Sequence, residues 1–295
     1  MFKGFFNRMY NGNPNRPDIN PEDMPRNKYE LFFTTLGVRF GDLIKVNLLY
    51  AVFLLPALLW TAANFSVINS VPEGSTLEQI NQMALDTLFW YLLLMIPCLT
   101  LAGPPTAGLT YILRNWSRDE HAWLWSDFKE HMGKNWKQAA VLGFIQGAAL
   151  FLGYITLTNY SVLMAQNQWM WIMQLIFIVL MVLFLLSFMY AFPMMVTYKL
   201  KVTQILRNSL MLALGRLPFT ILFGFLAILP VLLGLIAVVM FPTSGIPVLV
   251  FVVFYLLLGF ALTGFVFNSY TNATFLRLMR ADTEDTHMDP EDRKE

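Results

Sequence analysis

The chain has 295 residues, of which 57% are hydrophobic and 13% charged, with a mean hydropathy of +0.54 and a formal charge of +1 at pH 7. A soluble globular domain carries roughly 25% charged residues, so this composition excludes that class and indicates an integral membrane protein. The single cysteine, Cys98, excludes a disulfide framework and a thiolate metal cluster.

Residues 1–28 are predicted to form an N-terminal cytoplasmic extension and linker. The opening "MFKGFFNRMYNGNPNRPD" lacks the long apolar stretch of a cleavable signal peptide, so the first span is expected to be retained. Its aromatic residues fit either a short interfacial anchor or a frayed terminus. The next segment, "NKYELFFTTLGVRFGDLIK", predicts an amphipathic helix that turns into the first span at Gly41.

Residues 29–280 are predicted to form an all-α polytopic membrane domain. About 20 apolar residues are needed to cross the hydrocarbon layer as a helix, and six stretches are long enough. Each is expected to be helical, because hydrocarbon offers no partner to a free backbone group. The six predicted transmembrane helices are 43–63, 88–112, 139–158, 170–197, 218–240 and 247–275.

The distribution of basic residues predicts the orientation. All 20 lysines and arginines fall in four segments, which hold seven, five, four and four of them. These segments run from Lys3 to Lys45, Arg114 to Lys137, Lys199 to Arg216 and Arg277 to Lys294. Basic residues are retained on the cytoplasmic side, so both termini are expected to be cytoplasmic.

A conspicuous motif, "GPPTAGLTYILRNWSRDE", follows the second apolar run. Proline removes a backbone donor and clashes with the preceding turn, so a kink or a helix break is predicted at Gly103, Pro104 and Pro105. Ser117 and Glu120 have the spacing of a capping box, which predicts a further helix from about Arg118 to Asn135. This helix would lie in the membrane interface between the second and third spans.

Aromatic and basic residues interleave along this predicted helix. Two interpretations stay open for them: an aromatic anchor at headgroup depth, or a docking surface for a partner. The predicted partner or lipid interface consists of Arg114, Trp116, Arg118, Trp123, Trp125, Phe128, Lys129 and Trp136.

Neutral polar residues occur inside the predicted spans, notably Gln146, Gln174 and Asn268. Such groups usually form hydrogen bonds between helices, and a polar solute path lined by them is the alternative. Gly143 and Gly147 form a GxxxG pattern that favours close helix packing. The last residues, 281–295, are acidic and polar, which predicts a disordered tail.

The stretch 103–139, read with 41–56 and 195–218, resembles the YesL-like family of bacterial integral membrane proteins. The resemblance covers about residues 31 to 280, and the long polar N-terminus departs from it. Its motif residues stand here as Asn47, Leu48, Leu49 and Pro56; Gly103, Pro104, Thr106 and Ala107; Arg114 and Trp116; Asp127 and Phe128; and Lys137, Gln138 and Ala139.

The resemblance implies a multi-pass protein of the bacterial cytoplasmic membrane, encoded among genes for carbohydrate uptake. We therefore expect a non-enzymatic accessory or regulatory subunit of an oligosaccharide ABC importer, in contact with membrane lipids and the permease subunits. The alternative is a stand-alone transporter or channel for a neutral solute such as a sugar. No catalytic residue, cofactor, metal site or nucleic-acid partner is expected, and self-association into a homo-oligomer stays open.

Overall fold

The computed structural model of the chain describes residues 28–68, 70, 72, 74–241 and 245–287, and all regular structure within these ranges is helical. The helices in chain order are α1 (Lys28–Val38), α2 (Phe40–Phe53), α3 (Leu55–Ile68), α4 (Leu77–Trp116), α5 (Leu124–Lys134), α6 (Trp136–Gln166), α7 (Met170–Thr197), α8 (Val202–Gly215), α9 (Leu217–Met240), α10 (Ile246–Phe254), a π-helical segment (Tyr255–Gly259) and α11 (Phe260–His287).

The two predicted terminal segments fall largely outside these ranges. Of the predicted extension and linker, only its last residue, Lys28, is described, as the first residue of α1. In the predicted tail, residues 281–287 continue α11, whereas 288–295 lie outside the described residues.

The helices match the expected membrane architecture. In the described part of the chain, five helices are long and apolar enough to cross a membrane, and a sixth span results if the bent pair α2 and α3 counts as one. The five are α4, α6, α7, α9 and the stretch Ile246–Arg277, which includes α10 and most of α11. The chain is therefore a helical, multi-pass membrane protein.

The first predicted span, 43–63, is bent in the middle. α2 and α3 meet at Leu54 with an angle of 72° between them. Pro56 explains the bend, because it has no N–H to donate and its ring clashes with the carbonyl four residues earlier, at Val52.

The predicted helix break at Gly103, Pro104 and Pro105 is wrong, because α4 runs through all three residues without interruption. Pro104 and Pro105 remove only two backbone N–H donors from a helix of 40 residues. The same turn is held from the side, since Gly103 lies directly against the carbonyl of Ala139 on α6. The hydroxyl of Thr106 also donates to the Ala102 carbonyl at 2.7 Å. Packing against a neighbour therefore outweighs the local preference of proline.

Glycines set the distance between α4 and α6. A Cβ at Gly143 would overlap the Leu99 carbonyl, and one at Gly147 would lie 2.9 Å from the Cα of Ile96. The prediction that this GxxxG pattern packs closely against another helix is confirmed. The backbones of α4 and α6 can approach this closely only because Gly143 and Gly147 have no side chains.

Candidate functional site

The motif that ends α4 is built around Arg114. Its Nη1 donates to the Val196 carbonyl at 3.1 Å, and its guanidinium carbon lies 5.2 Å from the centre of the Tyr111 ring. Its Nη2 is 3.9 Å from a carboxylate oxygen of Glu120. The Arg114 side chain is only 15% exposed. Arg114 therefore ties the end of α4 to the end of α7, and little of it is accessible to a partner.

The chain turns sharply after Trp116. The backbone N–H groups of Arg118 and Glu120 both donate to the Asn115 carbonyl, at 3.0 and 2.9 Å, and Asp119 has a positive φ of 60°. Arg118 is also fixed by its side chain, since its Nε donates to Oδ1 of Asn272 on α11 at 2.8 Å. The turn is thus part of the packed structure.

The predicted capping box of Ser117 and Glu120 is wrong. The Ser117 hydroxyl donates to the Arg114 carbonyl at 2.7 Å, so it closes α4 instead of opening the next helix. α5 begins at Leu124, where the carboxylate of Asp127 accepts the backbone N–H of Trp123 at 2.8 Å. Ser117 does lie in a turn, as the motif predicted. The side chain that accepts a backbone N–H at the start of α5 is that of Asp127, ten residues after Ser117.

The predicted interface separates into buried and exposed members. Trp116 and Phe128 are 1% and 0% exposed and belong to the same hydrophobic core, so neither can contact a partner. Trp123, Trp125 and Trp136 are 62%, 59% and 54% exposed. Lys129 is also exposed, one helical turn after Trp125. We call the four exposed residues, Trp123, Trp125, Lys129 and Trp136, the tryptophan face.

His131 lies on the opposite side of α5, stacked on Tyr111 with a ring-centroid distance of 3.3 Å and an interplanar angle of 12°. Burial lowers the pKa of His131, and the neighbouring Lys134 and Arg114 add to this effect, whereas Glu130 and Asp127 oppose it. The imidazole is therefore held in its neutral form against the end of α4.

A cavity of about 650 Å³ lies between α2, α3, α4, α6, α7, α9 and α11. Gln146 and Asn268 both line it, as the sequence hypothesis of a shared polar path requires, but Gln174 is not among its lining residues. The Asn268 Nδ2 donates to the Gly264 carbonyl at 2.8 Å, while its buried Oδ1 has no protein partner. A buried amide oxygen without a partner is an acceptor open to a ligand or water.

Two further hydroxyl groups face this cavity and were not predicted. The hydroxyls of Tyr50 and Thr106 form a hydrogen bond of 2.8 Å with each other, and both residues line the cavity together with Gly103. Thr106 belongs to the "GPPT" motif, so this motif faces the cavity as well as α6. The sequence signal that could have pointed to Thr106 as a cavity residue is the periodicity of polar residues along α4.

Asn47 is a second residue that the sequence hypothesis did not place in a site. It is fully buried, and its Nδ2 donates to the carbonyls of Tyr255 and Leu256 at 2.9 and 2.6 Å. Its Oδ1 accepts the backbone N–H of Ala261 at 2.8 Å. These bonds connect Asn47 to the carbonyls of the π-helical segment, whose irregular backbone leaves groups to satisfy. The signal was an asparagine inside the apolar run "KVNLLYAVFL".

Metal ligation finds no support in the described part of the chain, where no three histidine, cysteine, aspartate or glutamate side chains cluster closely enough to hold an ion.

Residues 82–160 match a family model described as "Protein of unknown function, DUF624". The match runs from the first turns of α4 through the tryptophan face and most of α6. It therefore includes the "GPPT" motif and Gly143, where Gly103 meets the Ala139 carbonyl and Gly143 meets the Leu99 carbonyl between α4 and α6. No curated protein and no solved structure matches the chain. The chain is thus similar to a family of uncharacterised proteins over this stretch, and the YesL-like name is not carried by that match.

Proposed function

We propose that the chain is an accessory membrane subunit that associates with the permease subunits of an oligosaccharide ABC importer in the bacterial cytoplasmic membrane. The resemblance to YesL-like proteins supplies the class of partner. The observation that carries the proposal is the tryptophan face: three tryptophans and a lysine between residues 123 and 136 are exposed, while Phe128 in the same stretch is buried in the core. In this arrangement both termini are cytoplasmic and α5 lies in the membrane interface.

The base of the tryptophan face explains why it suits binding. Phe128 is buried under α5, and the ring of Phe53 stacks against it with centroids 5.6 Å apart. Trp125 is therefore presented by a helix that is already fixed, with Trp123 just before it and Trp136 just after it, so binding orders few additional groups. Tryptophan on a preorganised surface is typical of the interface residues that dominate binding energy.

The test is recovery of permease subunits with the tagged, full-length protein from its native membranes in mild detergent. We expect Trp125→Ala combined with Lys129→Ala to reduce recovery by more than about tenfold, as loss of a binding hot spot does. The control is Trp90→Ala, because Trp90 is 56% exposed but lies on the first half of α4, away from the tryptophan face. Unchanged recovery with the double variant would contradict the proposed docking role.

The cavity favours a second candidate function, passage or binding of a neutral solute. Its volume of about 650 Å³ lies in the range of small-molecule sites. Gln146, Thr106 and the unpaired Oδ1 of Asn268 supply hydrogen-bonding groups among apolar walls. A sugar has many hydroxyls and would need such acceptors along its route.

Proteoliposomes that contain only this protein separate the two candidates. Uptake of a labelled neutral oligosaccharide, abolished by Asn268→Leu and preserved by Gln174→Leu, would support the solute path. Gln174 is the matched control because it lies in a predicted span but not on the cavity wall. Absence of uptake by the protein alone, with recovery of the permease, would favour the accessory subunit.

A further inference from the structure

A groove of about 730 Å³ opens beside the tryptophan face, where two spanning helices end. One wall is the connection from α5 to α6, and the other is the chain between α7 and α8. Each wall carries two lysines: Lys134 and Lys137 on the first, Lys199 and Lys201 on the second. Apolar and neutral residues supply most of the remaining lining.

The groove carries an unbalanced positive charge. No aspartate or glutamate is among its lining residues, and within the described part of the chain none of the four lysines forms an ion pair with a carboxylate. Four lysines line this one space, so their ammonium groups repel one another, and an anion between them would relieve that repulsion. The chemistry of the groove therefore fits a multiply charged anion.

Direct bonds hold the two walls together. The Gln138 Nε2 on the first wall donates to the Leu200 carbonyl on the second at 2.9 Å, and Arg114 ties the second wall to α4 by donating to the Val196 carbonyl at 3.1 Å. The start of α8 is fixed by Gln204, whose side chain accepts the backbone N–H of Lys201 at 2.9 Å. The lysine backbones are thus set in place before any ligand arrives, which lowers the entropic cost of binding.

The position of the groove indicates the source of the anion. The apolar spans Trp136–Met164 and Met170–Thr197 begin and end at its two walls, which places it at the level of the headgroups. Trp136, 54% exposed, borders it, as expected of an indole at a membrane interface. Basic pockets between spanning helices on the cytoplasmic side are suited to anionic lipid headgroups.

We propose that this groove binds the phosphate groups of an anionic membrane phospholipid, with a headgroup of two phosphates, such as cardiolipin, bridging the two lysine pairs. Such a lipid would join the ends of α6 and α7 beneath the tryptophan face. The site stands independently of the proposed importer partner, because it depends only on the charge and geometry of this chain.

The test uses the full-length protein, purified in detergent, stripped of lipid and titrated with cardiolipin, phosphatidylglycerol or phosphatidylcholine under native mass spectrometry. We expect cardiolipin to bind best and phosphatidylcholine least. Lys199→Gln combined with Lys201→Gln should weaken cardiolipin binding about 30-fold, which corresponds to the loss of two lysine contacts with anionic lipid. Lys199→Arg with Lys201→Arg should retain binding.

The matched control is Arg207→Gln with Arg277→Gln, which removes the same charge at exposed positions that do not line the groove. An equal loss in this control would show diffuse attraction and overturn the proposal. If the first double variant fails to give a monodisperse protein, Lys134→Gln with Lys137→Gln makes the same prediction from the other wall. Retained cardiolipin binding in whichever variant folds would also overturn it.

A separate titration with inorganic pyrophosphate distinguishes lipid from soluble phosphate. We expect pyrophosphate to bind more weakly than cardiolipin, because it has no acyl chains to place against the apolar ends of α6 and α7. Lysine-dependent binding of pyrophosphate that is tighter than that of cardiolipin would overturn the lipid assignment.

Discussion

The two halves of α4 have opposite surroundings. From Leu77 to Leu101 no side chain is fully buried, whereas most residues from Ala102 to Trp116 are. α7 repeats this division, since its buried residues run from Ser187 to Met195. The protein is therefore packed tightly at the end that carries the basic residues, and loosely at the other end.

Hydrophobicity does not distinguish these halves, because lipid chains are as apolar as leucine and drive no association between helices. Small residues do distinguish them. Gly103, Ala107 and Gly108 occur within six residues in the packed half of α4, and a Cβ at Gly108 would lie 2.6 Å from the Phe128 carbonyl. The packed end is thus specified by small residues on α4 itself, whereas the close approach at Ile96 and Leu99 in the other half depends on Gly147 and Gly143 of α6.

The largest expected effect comes from filling the closest backbone approach. Gly103→Ala would drive a methyl group into the Ala139 carbonyl, which cannot move without shifting α6. We expect a loss of about 3 kcal/mol in the free energy of unfolding, at the upper end of the usual cost of overpacking. The measurement is unfolding in detergent followed by tryptophan fluorescence.

Gly153→Ala is the control from the loosely packed end. Its new methyl group would meet only the terminal Cε of Met181, at 2.7 Å, and a methionine end can rotate away. Alanine also favours the helix over glycine by roughly 0.5–1 kcal/mol. We expect this variant to be as stable as the parent or slightly more stable. Equal destabilisation of both variants would contradict the contrast between the two ends.

The sequence predicted the spanning helices well, because roughly 20 consecutive apolar residues leave helix as the only choice in lipid. The predicted range 170–197 coincides with α7. The sequence-based prediction failed at Gly103–Pro105, where a rule for proline was applied without the contact to the neighbouring helix. It also failed at Ser117, where a rule for caps assigned to the next helix a residue that closes α4.

The candidate site was predicted only in part, for the same reason. Gln146 and Asn268 line one cavity and Gln174 does not, and sequence could not separate the three, since all are neutral amides inside apolar runs. Trp116 and Trp125 likewise look alike in sequence, and only the structure shows that Trp116 belongs to the hydrophobic core while Trp125 is exposed.

A smaller effect is expected from the polar link to the π-helical segment. Asn47→Ala would leave two carbonyls and one N–H group without their present partners in a buried place. We expect a loss of about 2 kcal/mol in the free energy of unfolding, the cost of unsatisfied buried groups. Asn159→Ala is the control, because Asn159 is exposed and bonds only within its own helix. The contrast would fail if both variants unfolded alike.

The smallest effect is a pH dependence confined to the packed end. Burial depresses the pKa of His131 in the folded protein, whereas in the unfolded chain a histidine titrates near about 6.5. The unfolded state therefore takes up a proton first as the pH falls, so the contribution of His131 to stability is fully present above about pH 6.5 and declines below it. A falling melting temperature between about pH 7 and 5 measures this loss.

His131→Gln should flatten that part of the profile, because glutamine cannot take up a proton. Glu130 and Asp127 act on the same imidazole and oppose the shift, so Glu130→Gln should steepen the decline. His121→Gln is the matched control, since His121 is exposed in the turn before α5 and packs only edge-on against Trp123. If His121→Gln flattened the profile as much as His131→Gln, the dependence would belong to the surface and not to the burial that separates the two ends of α4.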